Sequence, residues 1–224
     1  AFTYRSSAAE AEKVIADNAV SDITIKAYQS DASNFQAAET LVNQVLEDFG
    51  KLDILVNNAG LALGLEKSPD ALIDDWDIMV DTNIKGLLYM TKAVLPIMTK
   101  RKTGYIFNLS SIAGNWPYEG ANVYGSTKAF VQQFSFNLRT DLKGTNIRVS
   151  SIEPGFAKTE FSNVRFKGDN EKADAVYKGL QPLVATDIAN LIFTLAALPE
   201  HVNVNSLEVM PTAQSWAGFT LERS

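Results

Sequence analysis

The chain contains no cysteine and a single histidine, His201, among its 224 residues. The first absence excludes disulfide frameworks, thiolate metal sites and cysteine nucleophiles, and the second leaves histidine triads and zinc clusters without their parts. No apolar run approaches the ~20 residues of a membrane span, and no charged-then-apolar leader opens the chain. Basic residues are outnumbered, 20 against 26 acidic ones, so the net charge of −6 argues against a general binder of nucleic acid or anionic membrane. A local basic pocket remains compatible with that total. Hydrophobic residues at 46% and charged residues at 21% describe a packed globular chain rather than a disordered one. The cytoplasm is the expected location and a small molecule the expected partner.

Apolar, β-branched runs alternate with helical patterns along the whole chain. Strands are predicted at Ala1–Tyr4, Ile23–Tyr28, Leu52–Asn57, Gly104–Leu109, Asn146–Ile152 and Val204–Met210. Helices are predicted at Ala8–Asn18, Phe35–Phe49, Trp76–Thr99, Asn122–Leu142 and Thr186–Leu198. Asp31–Asn34 supplies a cap for the second helix and Gly50 its stop. This rhythm predicts an α/β fold, a doubly wound parallel sheet with helices on both faces, in a single domain. Phe156–Leu183 is polar, follows a strand end directly and is expected to be a mobile loop or lid over a site.

Tyr124 is the only tyrosine with a lysine four residues on, Lys128, and Ser110 and Ser111 end a predicted strand thirteen residues or so before it. On a helix, i and i+4 share a face, so the ammonium lies beside the phenol. A free phenol titrates near ~10, too high for a base at neutral pH, and a neighbouring cation is expected to pull it down. Ser111 arrives from another element to hold a substrate oxygen while Tyr124 moves its proton. By itself the pair is also an ordinary amphipathic-helix pair.

The ordered series Asn57-Asn58-Ala59-Gly60, Asn83, Asn108-Leu109-Ser110-Ser111, Tyr124-Gly125-Ser126-Thr127-Lys128 and Pro154-Gly155 resembles the short-chain dehydrogenase/reductase family over essentially the whole chain. That resemblance implies a Rossmann-like fold and hydride transfer to or from a nicotinamide cofactor. It makes Tyr124 the acid/base, Lys128 its tuner and a ligand of the nicotinamide ribose, Ser111 the group that orients the carbonyl, and Asn83 the holder of a relay water. Asn58, Ala59 and Gly60 fall on the adenine-ribose side of the cofactor, Asp31 at its adenine, Pro154 and Gly155 at its nicotinamide and Thr159 at the carboxamide. Helix capping explains Asp31 almost as well. Arg5, in Tyr4-Arg5-Ser6-Ser7 after the first visible strand with no acid before Glu10, favours NADP over NAD.

One departure from the family pattern is large. Its first strand and glycine-rich turn are expected before Ala1 and are absent from this chain, which predicts a gap inside the sheet. Up to about Gly60 the chain looks most like 3-oxoacyl-[acyl-carrier-protein] reductases, and a hybrid chain is one reading of that mixture. After Gly60 it resembles the NADP-dependent 3-hydroxy acid dehydrogenases, notably in Asn115-Trp116-Pro117-Tyr118, Thr159–Phe166 and Met210-Pro211. The implied substrates are small acids such as serine, allo-threonine or 3-hydroxypropionate. Arg165 is the candidate partner of their carboxylate, with a surface role or an ion pair to Glu160 or Asp169 as the alternative. Trp116 is the candidate pocket wall, with Tyr118, or else a core or interface aromatic. Leu87, Leu88, Val94, Phe130, Phe134 and Phe136 form helix stripes that are either core or the faces of a homotetramer. A non-catalytic binding protein, or an inactive fragment, on the same fold is the reading from another class.

Overall fold

The computed structural model describes residues 1–20 and 22–216. In chain order these form β1 (Phe2–Tyr4), α1 (Ala8–Asp17), β2 (Ala27–Gln29), α2 (Phe35–Phe49), β3 (Ile54–Asn57), α3 (Ile73–Val80), α4 (Gly86–Arg101), β4 (Gly104–Leu109), α5 (Asn122–Asp141), β5 (Ile147–Pro154), β6 (Ala157–Lys158), α6 (Phe161–Arg165), α7 (Asn170–Ala175), β7 (Leu183–Val184), α8 (Ala185–Ala196) and β8 (Ser206–Val209). The main sheet has the order β3-β4-β5-β8, all parallel, and β1 and β2 form a separate parallel pair. No ladder joins β1 to β3 among the described residues. Alternate residues of β3, Ile54 and Val56, are 47% and 41% exposed there. Such apolar residues are normally covered in a parallel strand.

Helix α2 matches its predicted span because its punctuation is strong. Asn34 caps it by accepting from the Ala37 amide at 3.1 Å, and Gly50 ends it in the left-handed region at φ 72°. Elsewhere the structure corrects the expectation. The run predicted as one helix over Trp76–Thr99 is α3 and α4 joined by a π-helical turn, Asp81–Lys85, that carries Asn83. The strand predicted at Ile23–Tyr28 shrinks to Ala27–Gln29, since β1 offers it only three residues to pair with. Phe156–Leu183 is not a loop: it folds as α6, α7 and the β6–β7 ladder. Short-range capping explains part of this, Asp169 accepting from the Lys172 amide at the start of α7.

Two apolar clusters fix the sheet. Val94, Met98, Ile106, Leu138 and Val149 pack α4 and α5 on one face, and Tyr105, Phe107, Ile152 and Leu195 pack α8 on the other. Leu87 and Val94 are core, whereas Leu88, Phe130, Phe134 and Phe136 are only half-buried.

Through this core runs a buried polar ladder that ties β3 and β4 to both helices. Asn57 donates to the Thr91 hydroxyl at 3.0 Å and to Asn108 Oδ1 at 2.8 Å, and Asn108 donates to the Ser135 hydroxyl at 2.9 Å. Buried donors left unmatched are costly, so these four side chains specify which residue of α5 sits over which residue of β4. Asn108→Leu takes a hydrogen-bond partner from both Asn57 and Ser135 and is expected to cost about 3 kcal/mol, lowering Tm by ~6–12 °C. A thermal melt that stays within a degree or two of the parent would show the ladder to be dispensable.

Candidate active site

Ser111 lies two residues beyond β4 and caps a 3-10 turn, Ile112–Gly114, by accepting from the Ala113 amide at 3.2 Å. That turn crosses α5 in backbone contact. A Cβ on Gly114 would lie 2.8 Å from the Ala129 nitrogen, and one on Gly125 would lie 2.9 Å from the Ala113 carbonyl oxygen. Neither space admits a side chain, so this pair of glycines lets the serine and Tyr124 converge. Residue pattern alone gives no role to either glycine or to Ser110, whose hydroxyl donates to the Lys128 carbonyl at 2.7 Å.

Tyr124 and Lys128 share the buried face of α5, as i and i+4 require. The ammonium donates to the Leu109 carbonyl at 2.8 Å and lies 5.8 Å from the phenol ring centre. Its surroundings are close on all sides: a Cβ on Gly60 would lie 3.3 Å from both Lys128 Nζ and Asn83 Oδ1. The Asn83 amide is fully used. It accepts from the Leu61 amide at 2.8 Å and donates to the Leu61 carbonyl at 2.8 Å and the Thr127 hydroxyl at 3.0 Å.

The electrostatics correct one expectation. Burial pushes the Tyr124 phenol up to about 12, with hydrogen bonding to Ser111 and the Arg165 charge working the other way. Burial also pushes Lys128 down to about 8. Desolvation outweighs the cation beside the phenol, so Tyr124 is a proton donor in this state rather than a ready phenolate.

Arg165, on α6, stands over the same tyrosine. Its guanidinium carbon lies 5.0 Å from the Tyr124 ring, 5.5 Å from Phe161 and 5.8 Å from Tyr118. Nη2 donates to the Tyr118 hydroxyl at 2.7 Å, and the buried Nε has no partner among the described residues. Neither predicted ion pair forms. Glu160 accepts from the Asn163 amide and Asp169 pairs with Lys172. The backbone holds Arg165 in place, its carbonyl accepting from the Gly64 amide at 3.0 Å, and Lys167, two residues on, pairs with the buried Asp75 at 2.8 Å.

Pro154 ends β5, and its carbonyl accepts from the Ser111 hydroxyl at 3.3 Å. Thr159 begins the α6 segment and accepts from the Phe161 amide. Asn58 and Ala59 are exposed just beyond β3. Asp31 is held below the usual carboxylate range, first by the Ser33 hydroxyl and amide and also by the Arg5 charge. Asn34, not Asp31, caps α2. Arg5 follows β1 and forms no ion pair among the described residues. Trp116 donates its indole N–H to Glu208 at 3.0 Å.

A doubly wound parallel sheet, with a serine, a tyrosine and a lysine converging at the carboxyl ends of its central strands, defines a Rossmann-like oxidoreductase of the alcohol dehydrogenase type. The chain belongs to the short chain dehydrogenase family, whose profile matches residues 1–170. It is similar to the NADP-dependent 3-hydroxy acid dehydrogenase of Salmonella typhi, 54% identical over 197 residues that cover 88% of this chain and 79% of that protein. It is 50% identical over 194 residues to sulfoacetaldehyde reductase 2 of Chromohalobacter salexigens, covering 86% of this chain and 77% of the other. Among solved structures, the closed form of a serine dehydrogenase complexed with NADP+ superimposes with a TM-score of 0.93 at 47% identity, covering all of this chain and 88% of that one. The serine dehydrogenase from Escherichia coli gives 0.80 at 41% identity, covering 96% and 87%. Among the described residues, no helix is long and apolar enough to cross a membrane.

The buried lysine carries a stability signature. The unfolded chain keeps this proton up to 10.5 and the folded chain only to about 8, so between those values the unfolded state binds more protons and stability rises with pH. Lys128→Met lacks that slope. At pH 7 it also removes a charge whose burial costs on the order of 3 kcal/mol, offset by ~1 kcal/mol for the Leu109 carbonyl it leaves without a donor. The variant is expected to be at least as stable as the parent at pH 7, with its advantage shrinking from pH 8 to 10 in denaturant titrations. A constant difference across that range would rule out burial of the ammonium as the cause.

Proposed function

We propose that this protein is an NADP-dependent dehydrogenase acting on the 3-hydroxyl of small hydroxy acids. The observation that carries the reading is Arg165, a guanidinium boxed by three aromatic rings directly over Tyr124. Nε and Nη2 form one edge of the guanidinium, and with Nη2 giving a single hydrogen to Tyr118 the edge keeps two donors for a carboxylate. An anion there places an alcohol carbon near Tyr124 and Ser111. A short acid satisfies both ends, whereas the thioester of an acyl carrier protein gives Arg165 no anion, which favours the hydroxy acid over the 3-oxoacyl reductase reading.

The residues on the cofactor side fit a phosphorylated dinucleotide. Arg5 is exposed at the end of β1, and Ser7 at the N-terminus of α1 makes no side-chain cap hydrogen bond, so guanidinium, hydroxyl and helix amides are together available to a 2′-phosphate. Asp31, Asn58, Ala59 and Gly60 border the adenine-ribose side, and Pro154, Gly155 and Thr159 the nicotinamide side. When bound, the cofactor supplies the hydride acceptor or donor. Ser111 holds the substrate oxygen and Tyr124 gives or takes its proton. Lys128 lowers the cost of the phenolate and binds the nicotinamide ribose. With the Asn83 side chain fully committed, we assign the relay to its main-chain carbonyl in the π-helical turn, where the helix ladder is out of register. Phe130 and Phe134, stacked at 5.9 Å and half-buried on α5, together with Leu88 on α4, form the faces on which we place a homotetramer.

NADPH formation from serine and 3-hydroxypropionate tests the reading. Tyr124→Phe is expected to abolish turnover while NADPH still enhances or shifts its fluorescence on binding; more than a trace of activity would remove Tyr124 from the acid/base role. Arg165→Ala is expected to raise KM for both acids by about 30-fold or more, the loss of a charged hydrogen-bonded pair, while sparing a neutral secondary alcohol. Equal losses for acid and alcohol would defeat the carboxylate assignment.

A further inference from the structure

Both oxygens of the Glu208 carboxylate on β8 are taken by indoles from distant parts of the chain. Trp116, just after the Ser111 turn, donates to Oε2 at 3.0 Å, and Trp216, beyond β8, donates to Oε1 at 2.8 Å. The two rings meet edge to face at 6.1 Å. Beneath them Asn115 bridges Glu208 at 3.3 Å to the buried Glu153 at 2.8 Å, and Ser206 completes Glu153 at 2.7 Å. Glu153 and Glu208 are register partners on β5 and β8. Burial works against the Glu208 charge, yet donation from Trp116, Trp216 and Asn115 holds its carboxyl below the usual range.

Two carboxylates side by side with no cation paired to either among the described residues are an expensive way to build a sheet edge. What the arrangement secures is the orientation of two tryptophans that are otherwise 41% and 57% exposed. The same tail also closes over the turn beside Ser111. Gln214 accepts from the Phe156 amide at 2.9 Å, and a Cβ on Gly155 would lie 2.3 Å from Gln214 Oε1 and 2.9 Å from Met210 Cγ. Gly155 directly follows Pro154, whose carbonyl meets the Ser111 hydroxyl.

We propose that Glu208 is a positioning residue that fixes Trp116 and Trp216 as a rigid wall beside Ser111, and that this wall limits how large a substituent the reacting carbon of the substrate carries. The proposal rests on the hydroxy acid reading for its substrates but not for its geometry. Fixed indoles reject added methylenes because they are held from behind by hydrogen bonds rather than by the ligand.

The test compares 3-hydroxypropionate with 3-hydroxyhexanoate in the full chain and in Glu208→Ala, Glu208→Gln, Trp216→Ala and Trp216→Phe, alongside far-ultraviolet circular dichroism for the exciton couplet of the paired indoles. In Glu208→Ala and Trp216→Ala the kcat/KM preference for the shorter acid is expected to fall by about tenfold or more, through KM for the longer one, with NADPH affinity unchanged. Glu208→Gln keeps one acceptor and is expected to fall between parent and alanine variant. Trp216→Phe keeps the edge contact without the N–H, and its exposed position makes misfolding an unlikely excuse for any change. Glu208→Ala is expected to lose the couplet. An unchanged preference in both alanine variants, an equal loss of kcat for both acids, or a couplet that survives Glu208→Ala overturns the proposal. If the parent turns over neither acid, the hydroxy acid reading fails, and the couplet alone decides whether Glu208 sets the pair.

Discussion

The ammonium of Lys128 is the constraint around which the site is organised. It is buried without a carboxylate partner among the described residues and has one direct hydrogen bond, to the Leu109 carbonyl. A charge in that position demands close, fixed polar neighbours, and the fold supplies them from separate elements: the end of β4, the turn after β3, and the π-helical turn through Asn83. Gly60 is small because lysine and asparagine occupy the space a side chain needs. The cost of burying the charge is reflected in its depressed pKa.

The rest of the structure transmits that constraint to Ser111. The Asn57–Asn108–Ser135 ladder sets α5 against β4, and the Gly114–Gly125 contact brings the Ser111 turn down onto the helix. Ser110 then bonds to the lysine carbonyl and ties the start of that turn to the helix. Arg165 approaches from the far end of the chain and adds a cation above the phenol. Four segments separated by tens of residues thereby converge within a few ångströms.

Much of this was legible beforehand where local chemistry is strong. The span of α2 follows from Asn34 and Gly50, β4 from its apolar run Tyr105-Ile106-Phe107, and the pairing of Tyr124 with Lys128 from helical periodicity. The failures have equally local causes. The π-helical turn at Asn83 has no sequence signature of its own, since Asn83 is drawn inward by Leu61 and Thr127 from other segments. Polar composition made Phe156–Leu183 look like an open lid, but hydrogen bonds such as Ser162 to Tyr177 at 2.7 Å and the ion pair of Lys167 with Asp75 give it a packed structure.

By itself the sequence determined the alternation of strand and helix, which rests on local periodicity, and pointed through an ordered series of short motifs to the family, within which it nominated the serine, tyrosine and lysine. Only the tertiary structure decided the proton affinities of Tyr124 and Lys128, the partners of Arg165 and those of Glu208. Each of these depends on how much water is removed and which distant groups replace it, and neither quantity is encoded by the neighbours along the chain.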